Sequence, residues 1–194
     1  VVIHKELGNN LFWTRTVEQR DVQKGFNASS TVVETTLDFA RHTGVTLEPR
    51  GIVADWNKSE EKMTIYHNGQ APHMMQHIVA KHFNISEGLV RVVSKDVGGS
   101  FGIKVHVYGD EMAAIAVSKL LGRPVKFVAD RLESFTTDIH ARCHKISGKL
   151  GLDDKGKIIA MEINDLSGIG PYSMYPRTSA IETNQVLNLS GAPY

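Results

Sequence analysis

The 194-residue sequence predicts an α+β fold, a mixed sheet with hairpins and two main packed helices. Three observations carry that expectation. β-branched runs recur between turn signals, as at Met63-Thr64-Ile65-Tyr66-His67 and Leu89-Val90-Arg91-Val92-Val93. Two stretches keep a helical period, one opened by Pro72 and the other stopped by Gly122 and Pro124. Between them the order strand, helix, loop, strand lies flanked by hairpin patterns.

In chain order, residues 1–14 read as an extended lead-in, and residues 15–194 as one domain. Thr14 or Thr16 is predicted to cap a short helix running through Phe26, with Glu18 in its first turn. Residues 30–39 read as a strand from Thr31-Val32-Val33 and the alternation after it. Residues 51–56 and 63–67 form a predicted hairpin across the polar stretch 57–61. The helix opened by Pro72 should run to about His82 and bury Met75, Ile78, Val79 and Phe83. A second helix is predicted over 106–121, with Met112, Ala113, Ile115, Ala116, Leu120 and Leu121 as its apolar set. Val125-Lys126-Phe127-Val128 reads as a buried strand. Asp130-Arg131-Leu132-Glu133 begins a short helix, with Arg131 available for an ion pair. Strands at 145–152 and 158–166 are joined by Asp153-Asp154-Lys155-Gly156, a good turn signal. From Gly168 onward the chain is rich in Gly, Pro, Ser and Tyr without a clear period.

Composition narrows the function classes. With 41% hydrophobic and 22% charged residues the chain can bury a core. A formal net charge of +1 gives no electrostatic case for nucleic acid or an anionic membrane surface. No apolar run approaches the roughly 20 residues of a membrane span. Cys143 is the sole cysteine, which excludes an intrachain disulfide and a cysteine-built iron–sulfur site. A reducing, cytoplasmic location is therefore expected. The chain starts at Val1 rather than Met, so the expectation is a processed N-terminus or a piece of a longer chain.

The chemistry concentrates in Asp96-Val97-Gly98-Gly99-Ser100-Phe101-Gly102-Ile103-Lys104, directly after a predicted strand. Gly98, Gly99 and Gly102 let the backbone take φ > 0, so successive N–H groups can converge on an anionic or strongly polar ligand. Phe101 among the glycines points to a ring or an amide presented at a fixed place. A turn that merely lets two elements pack closely accounts for the same spacing, so both readings stand on spacing alone. A phosphate-cradling P-loop is excluded, because Ile103 precedes Lys104 and Val105 follows it. The dinucleotide fingerprint is not met either. Gln70, in Asn68-Gly69-Gln70-Ala71-Pro72, sits where a strand ends and a helix starts. The intervening helix and strand return the chain to the same edge, so Gln70 and the glycine loop are expected to be two walls of one pocket.

Other candidates are weaker. His73 and His77 are four apart on a predicted helix, a spacing that suits two metal ligands. The zincin pattern also needs Glu after the first His, where Met74 stands, and no third ligand follows at a useful spacing. Surface or structural histidines are the better reading. Tyr172 and Tyr175, flanking Met174 and Pro176, read as a packed loop.

Taken together, Gln70-Ala71-Pro72-His73, the 96–104 loop, Leu121-Gly122-Arg123-Pro124-Val125-Lys126 and Asp130-Arg131 resemble a known family. It is the molybdenum-bearing large subunit of xanthine dehydrogenases and aldehyde oxidases, with the carbon monoxide dehydrogenase-like branch most similar. Glu48-Pro49-Arg50-Gly51 and residues 168–172 look like landmarks of the same family. The resemblance covers about residues 10–194 and rests on the order and spacing of several motifs. It makes residues 15–194 the first molybdopterin-binding domain, incomplete relative to the full subunit.

The resemblance implies that the chain helps bind molybdopterin, plain or as the cytosine dinucleotide. Gln70 would lend its side-chain amide to the cofactor, and Gly99, Ser100, Phe101 and Gly102 would line it. The implied activity is hydroxylation of an aldehyde or other small carbon centre with water as oxygen source. Implied partners are an iron–sulfur subunit, a flavin subunit carrying FAD and the remainder of the large subunit. Three departures bear on this. Ser100 replaces a commoner glycine. Val105 stands where purine-oxidising members carry a substrate-binding glutamate, which argues for a less polar substrate. Cys143 does not match the copper-binding cysteine of carbon monoxide dehydrogenases. The family's general-base glutamate lies beyond residue 194, so no catalytic residue is expected within this chain and the chain alone should be inactive. A rival from another class is a non-catalytic binding or assembly domain that keeps the fold. A histidine-based metal-binding protein using His73 and His77 is a third.

Overall fold

A computed structural model of the protein describes residues 1–141, 143–170, 184–186 and 188. In chain order the regular elements are α1 (Val22–Asn27), β1 (Thr31–Phe39), β2 (Gly51–Asn57), β3 (Lys62–His67) and α2 (Pro72–Phe83). There follow β4 (Val90–Val93), α3 (Gly109–Leu121), β5 (Val125–Val128), α4 (Arg131–Thr137), β6 (Cys143–Leu152) and β7 (Ile158–Gly168). Mixed sheets with a few helices make the α+β expectation correct. The chain divides into two compact units, Val1–Arg41 with Arg142–Tyr194, and His42–Ala141.

The first unit is built on an antiparallel sheet in the order β1-β6-β7, with β6 central. The β6–β7 connection is the turn signalled by residues 153–156, closed by the Asp153 N–H donating to Lys157 O at 2.9 Å. Helix α1 packs on this sheet through Phe26, which is buried. That helix starts later than Thr14 or Thr16. Asp21 is its N-cap, with its carboxylate accepting the Lys24 N–H at 2.9 Å, and an aspartate in that place outcompetes a more distant threonine. Within the lead-in, residues Lys5–Leu7 form a 3-10 turn. The segment bearing Tyr172 and Tyr175, and the landmark residues beyond Gly170, lie outside the described residues.

The second unit carries a four-stranded mixed sheet in the order β4-β3-β2-β5. β2 and β3 are the predicted hairpin, Ile52 opposite His67 and Asn57 opposite Lys62. β3 and β4 run parallel, so α2 is the crossover between them. The core gathers Ile52, Ala54, Met63, Ile65, Met75, Val79, Val90 and Ile115. Alternate residues of β2 and β3 face α2 and α3, which is the two-residue period of a sheet covered on one side.

Four expectations need correction here. Helix α3 begins at Gly109 rather than at 106, because residues Ile103–Val105 form a separate 3-10 turn and His106 is extended. Its buried face is Glu111, Ala114, Ile115 and Ser118, whereas Leu120 and Leu121 are exposed. Counting apolar side chains misses this face because half of it is polar and paired. Ser118 Oγ accepts the Trp56 N–H at 3.0 Å and donates to Arg123 O at 2.9 Å. β5 is a half-buried edge strand paired only with β2, and Val128 faces outward. Arg131 makes no ion pair among the described residues. Its guanidinium donates to the Thr46 and Leu47 carbonyls at 2.5 and 3.0 Å.

A buried charge cluster ties the second unit together. Arg50 is 1% exposed and precedes β2. Its Nε donates to Asp138 Oδ1 at 2.7 Å, and its terminal nitrogens grip both oxygens of Asp110 at 2.8 Å. A further bond reaches Glu111 Oε1 at 3.1 Å. The guanidinium also stacks on the Tyr108 ring, 3.7 Å from its centroid. Asp110 and Glu111 lie in the first turn of α3, where the helix dipole favours negative charge. Burial works against charge on Arg50, yet its bonds to Asp110, Asp138 and Glu111 prevail and raise its pKa further. Burial likewise pushes Asp110 upward, but the Arg50 hydrogen bonds and charge outweigh it and hold the carboxyl below its ordinary 3.8.

Two outcomes are expected. Ile65→Ala, at a side chain wholly out of water, should cost about 2–5 kcal/mol in denaturant unfolding of the protein that contains this chain. A cost well under 1 kcal/mol would mean the sheet–helix core is not as described. For acid, the sign follows from Asp110. Its folded pKa lies below 3.8, so the unfolded chain binds the proton more readily. The contribution is present above pH 3.8 and is lost as pH falls through the lowered folded value. Asp110→Asn should flatten that acid decline in unfolding midpoint while lowering stability at neutral pH; an unaltered pH profile would contradict it.

Candidate cofactor-binding site

Gln70 and the glycine loop are brought together at one end of the parallel β3–β4 pair. Gln70 follows β3 by three residues and stands two before Pro72, the first residue of α2. The loop leaves the equivalent end of β4. The crossover thus returns the chain to one edge, as the sequence order implied. The two walls are bonded directly. Gln70 N–H donates to Lys104 O at 3.0 Å, and the Ser100 hydroxyl donates to the Gln70 side-chain oxygen.

Ser100 has a second bond that fixes the direction of the first. Its Oγ accepts the Lys104 N–H at 3.1 Å, so its own proton is free to go to Gln70 Oε1. With Oε1 satisfied by that hydroxyl, the Gln70 amide NH2 is the part left to donate outward. Ser100 therefore orients the glutamine.

The loop's conformation explains its three glycines. Gly99 has φ +92°, in the left-handed region that side chains resist. A Cβ at Gly98 would stand 2.5 Å from Glu48 Cβ, so that position needs a glycine for close approach. Gly102 has φ +90° and Phe101 has φ +50°, unusual for a residue with a side chain. The Phe101 ring is 78% exposed, and it packs its Cβ side toward Gly44 rather than into the core. None of the N–H groups of Gly99, Ser100, Phe101 and Gly102 donates to a described residue. Four successive backbone donors beside an outward amide suit a strongly polar, anionic ligand, and so fit a molybdopterin and its oxo groups.

Val105 lies behind this loop in the 3-10 turn, 8% exposed, with its N–H on Gly102 O at 3.4 Å. Tyr108 OH donates to Ile103 O at 2.9 Å and accepts the Ile139 N–H at 3.3 Å, anchoring the same turn from beneath. His77 Nδ1 pairs with Glu87 Oε1 at 2.5 Å on an exposed face. Among the described residues no group of three or more His, Cys, Asp or Glu side chains is placed to hold a metal ion. Among the same residues no helix is long and apolar enough to cross a membrane.

Sequence reasoning missed the charges that hold the loop. Lys104, set aside as a failed P-loop lysine, is a fully buried side chain whose Nζ lies 2.6 Å from Glu48 Oε2. The same oxygen accepts the Gly98 N–H at 2.8 Å. The Lys104 hydrogen bond holds the Glu48 carboxyl below its ordinary 4.5. The signals were the landmark Glu48-Pro49-Arg50 and the acidic pair Asp110-Glu111 in the first turn of α3, but their partners lie too far along the chain for any local pattern to name.

Comparison with known proteins bears on the family of the whole chain. The profile of the molybdopterin cofactor-binding domain matches residues 3–194. The carbon monoxide dehydrogenase large chain of Hydrogenophaga pseudoflava is 33% identical over 168 residues, 87% of this chain and 21% of that one. The nicotine 6-hydroxylase large subunit of Paenarthrobacter nicotinovorans is 31% identical over 162 residues, 84% of this chain and 20% of that one. Among solved structures, quinoline 2-oxidoreductase from Pseudomonas putida 86 superposes with a TM-score of 0.80 at 30% identity, over 86% of this chain and 22% of that one. The aldehyde oxidoreductase of Desulfovibrio gigas shares the fold, with a TM-score of 0.69 at 20% identity over 76% of this chain and 16% of that one. This chain spans about a fifth of the length of the curated relatives it matches, 21% and 20% for the two named above. On the match across residues 3–194, the chain belongs to the molybdopterin cofactor-binding domain family.

Proposed function

We propose that this chain supplies one wall of the molybdenum cofactor site in a molybdenum hydroxylase. Gln70 donates its amide NH2 to the cofactor, and the N–H groups of Gly99, Ser100, Phe101 and Gly102 face its polar atoms. The observation that carries this is the set of unbonded loop donors beside a glutamine whose orientation Ser100 and Lys104 dictate. When bound, as molybdopterin or its cytosine dinucleotide, the cofactor supplies the hydroxylation chemistry, with water as the oxygen source. The chain's own part is to bind, orient and present donors that need no rearrangement.

The substrate in this reading is an aldehyde or another small carbon centre rather than a purine. Val105 supports it by placing no carboxylate where purine-oxidising family members carry one. Because Val105 is 8% exposed, it acts by excluding charge more than by broad contact with a substrate. The chain alone is inert. The carboxylate beside the loop is Glu48, and Lys104 and the Gly98 N–H hold it ionised and occupied, which makes it a poor base. The base, the rest of the large subunit, and the iron–sulfur and flavin subunits that carry electrons away come from elsewhere in a cytoplasmic assembly.

The test is molybdenum per subunit, by mass-spectrometric metal analysis of the native complex captured through this protein. Near-stoichiometric molybdenum is expected, and a stable, folded complex without it would overturn the reading. In the same complex Gln70→Ala should lower turnover by about 10-fold or more with an unchanged unfolding midpoint, since the residue is exposed at an element edge. Unchanged turnover would remove its assigned role. Gly99→Val should lower both molybdenum content and stability, because a β-branched residue resists φ +92°; full loading in that variant would contradict the loop's part in binding.

A further inference from the structure

Lys104 is placed beneath both walls of the site, and every polar group of its own is engaged. Its carbonyl takes the Gln70 N–H, its N–H goes to Ser100 Oγ, and its ammonium goes to Glu48. Glu48 in turn holds the entrance of the loop by two contacts with Gly98, its Oε2 accepting that N–H at 2.8 Å and its own N–H reaching Gly98 O at 3.5 Å. We propose that Glu48 and Lys104 are a positioning pair that sets the register between the 98–102 loop and Gln70, and so the direction in which the Gln70 amide donates. The purpose assigned to that register rests on the function proposed above; the pair itself does not.

The two partners differ in burial, and this makes the inference testable. The Lys104 side chain is 0% exposed, whereas that of Glu48 is 38% exposed. Removing Glu48's charge strands an ammonium out of water, which the loop can relieve only by opening to admit solvent. Removing Lys104's charge leaves a carboxylate that water already reaches. Neutralising Glu48 alone should therefore loosen the loop more than neutralising both. A pair that merely added stability would raise exchange in the β2–β3 hairpin along with that of the loop.

The experiment compares wild type, Glu48→Gln and the double variant Glu48→Gln with Lys104→Met in the native complex. It reads hydrogen–deuterium exchange of the peptide spanning 98–104, with the β2–β3 hairpin as internal control, and molybdenum per subunit. In Glu48→Gln, exchange over 98–104 should rise about 10-fold with the hairpin unchanged, and molybdenum should fall. The double variant should recover most of both. Unchanged loop exchange in Glu48→Gln, or equal loosening in the double variant, would overturn the positioning pair. A wild-type complex that lacks molybdenum, with the loosening and its recovery still seen in the variants, would instead overturn the proposed function and leave the pair standing.

Discussion

Arg50 has its guanidinium almost wholly out of water, and all three of its nitrogens are matched by carboxylate oxygens, from Asp138, Asp110 and Glu111. A charge so placed is tolerable only while every partner stays in position, because loss of one leaves an uncompensated ion in a poor dielectric. That condition fixes three pieces of chain at once: the start of β2, the N-terminus of α3 and the segment just after α4. The cluster joins parts of the sequence 60 to 88 residues apart. Hydrophobic burial by β2, β3, α2 and α3 supplies the greater driving force, but it is non-directional. Arg50 and its carboxylates specify which end of α3 faces which end of β2.

Tyr108 passes this constraint to the site. One face of its ring lies under the Arg50 guanidinium, and its hydroxyl bonds Ile103 O, in the turn that closes the glycine loop. Burial pushes the Tyr108 hydroxyl pKa well up, so it remains a donor throughout the physiological range. The loop is thus held at its far end by Tyr108 and at its near end by Glu48. Between those anchors four residues have N–H groups that no described residue accepts. Rigid ends and open donors in the middle are what binding a polar group by backbone requires, since donors that must first be ordered yield less affinity.

How much of this was legible in the sequence differs by type of interaction. The pairing of Gln70 with the loop was readable because it depends on element order, and a strand–helix–parallel strand unit has few ways to close. The hairpin and the β6–β7 turn were readable because turn chemistry is local. The start of α1 was misplaced because Thr14 and Thr16 are acceptable caps in principle and only the fold selects Asp21. The face of α3 was misread because Glu111 and Ser118 are buried by partners 61 and 62 residues away, and no window of local hydrophobicity contains those partners. Arg131 was matched to the wrong kind of acceptor for the same reason, since the carbonyls it caps belong to residues 46 and 47.

The strained residues show why the supports must be strong. Phe101 at φ +50° and Val45 at φ +37° both carry side chains in the left-handed region, and for the β-branched Val45 that is costly. The two lie in segments that touch, since a Cβ at Gly44 would meet Phe101 Cβ at 3.0 Å and one at Gly99 would lie 3.7 Å from the Thr46 side chain. Each such residue is disfavoured by about 1–3 kcal/mol and persists only where its surroundings over-determine it. Here the surroundings are Arg131 on the carbonyls of Thr46 and Leu47, Thr46 Oγ1 on Glu48 O at 2.7 Å, and the Glu48–Lys104 pair. A loop left to its own preferences would relax, turn its N–H groups toward its own carbonyls and cease to be a set of donors. The buried charges are therefore better understood as holding an unfavourable backbone open than as adding stability to a favourable one.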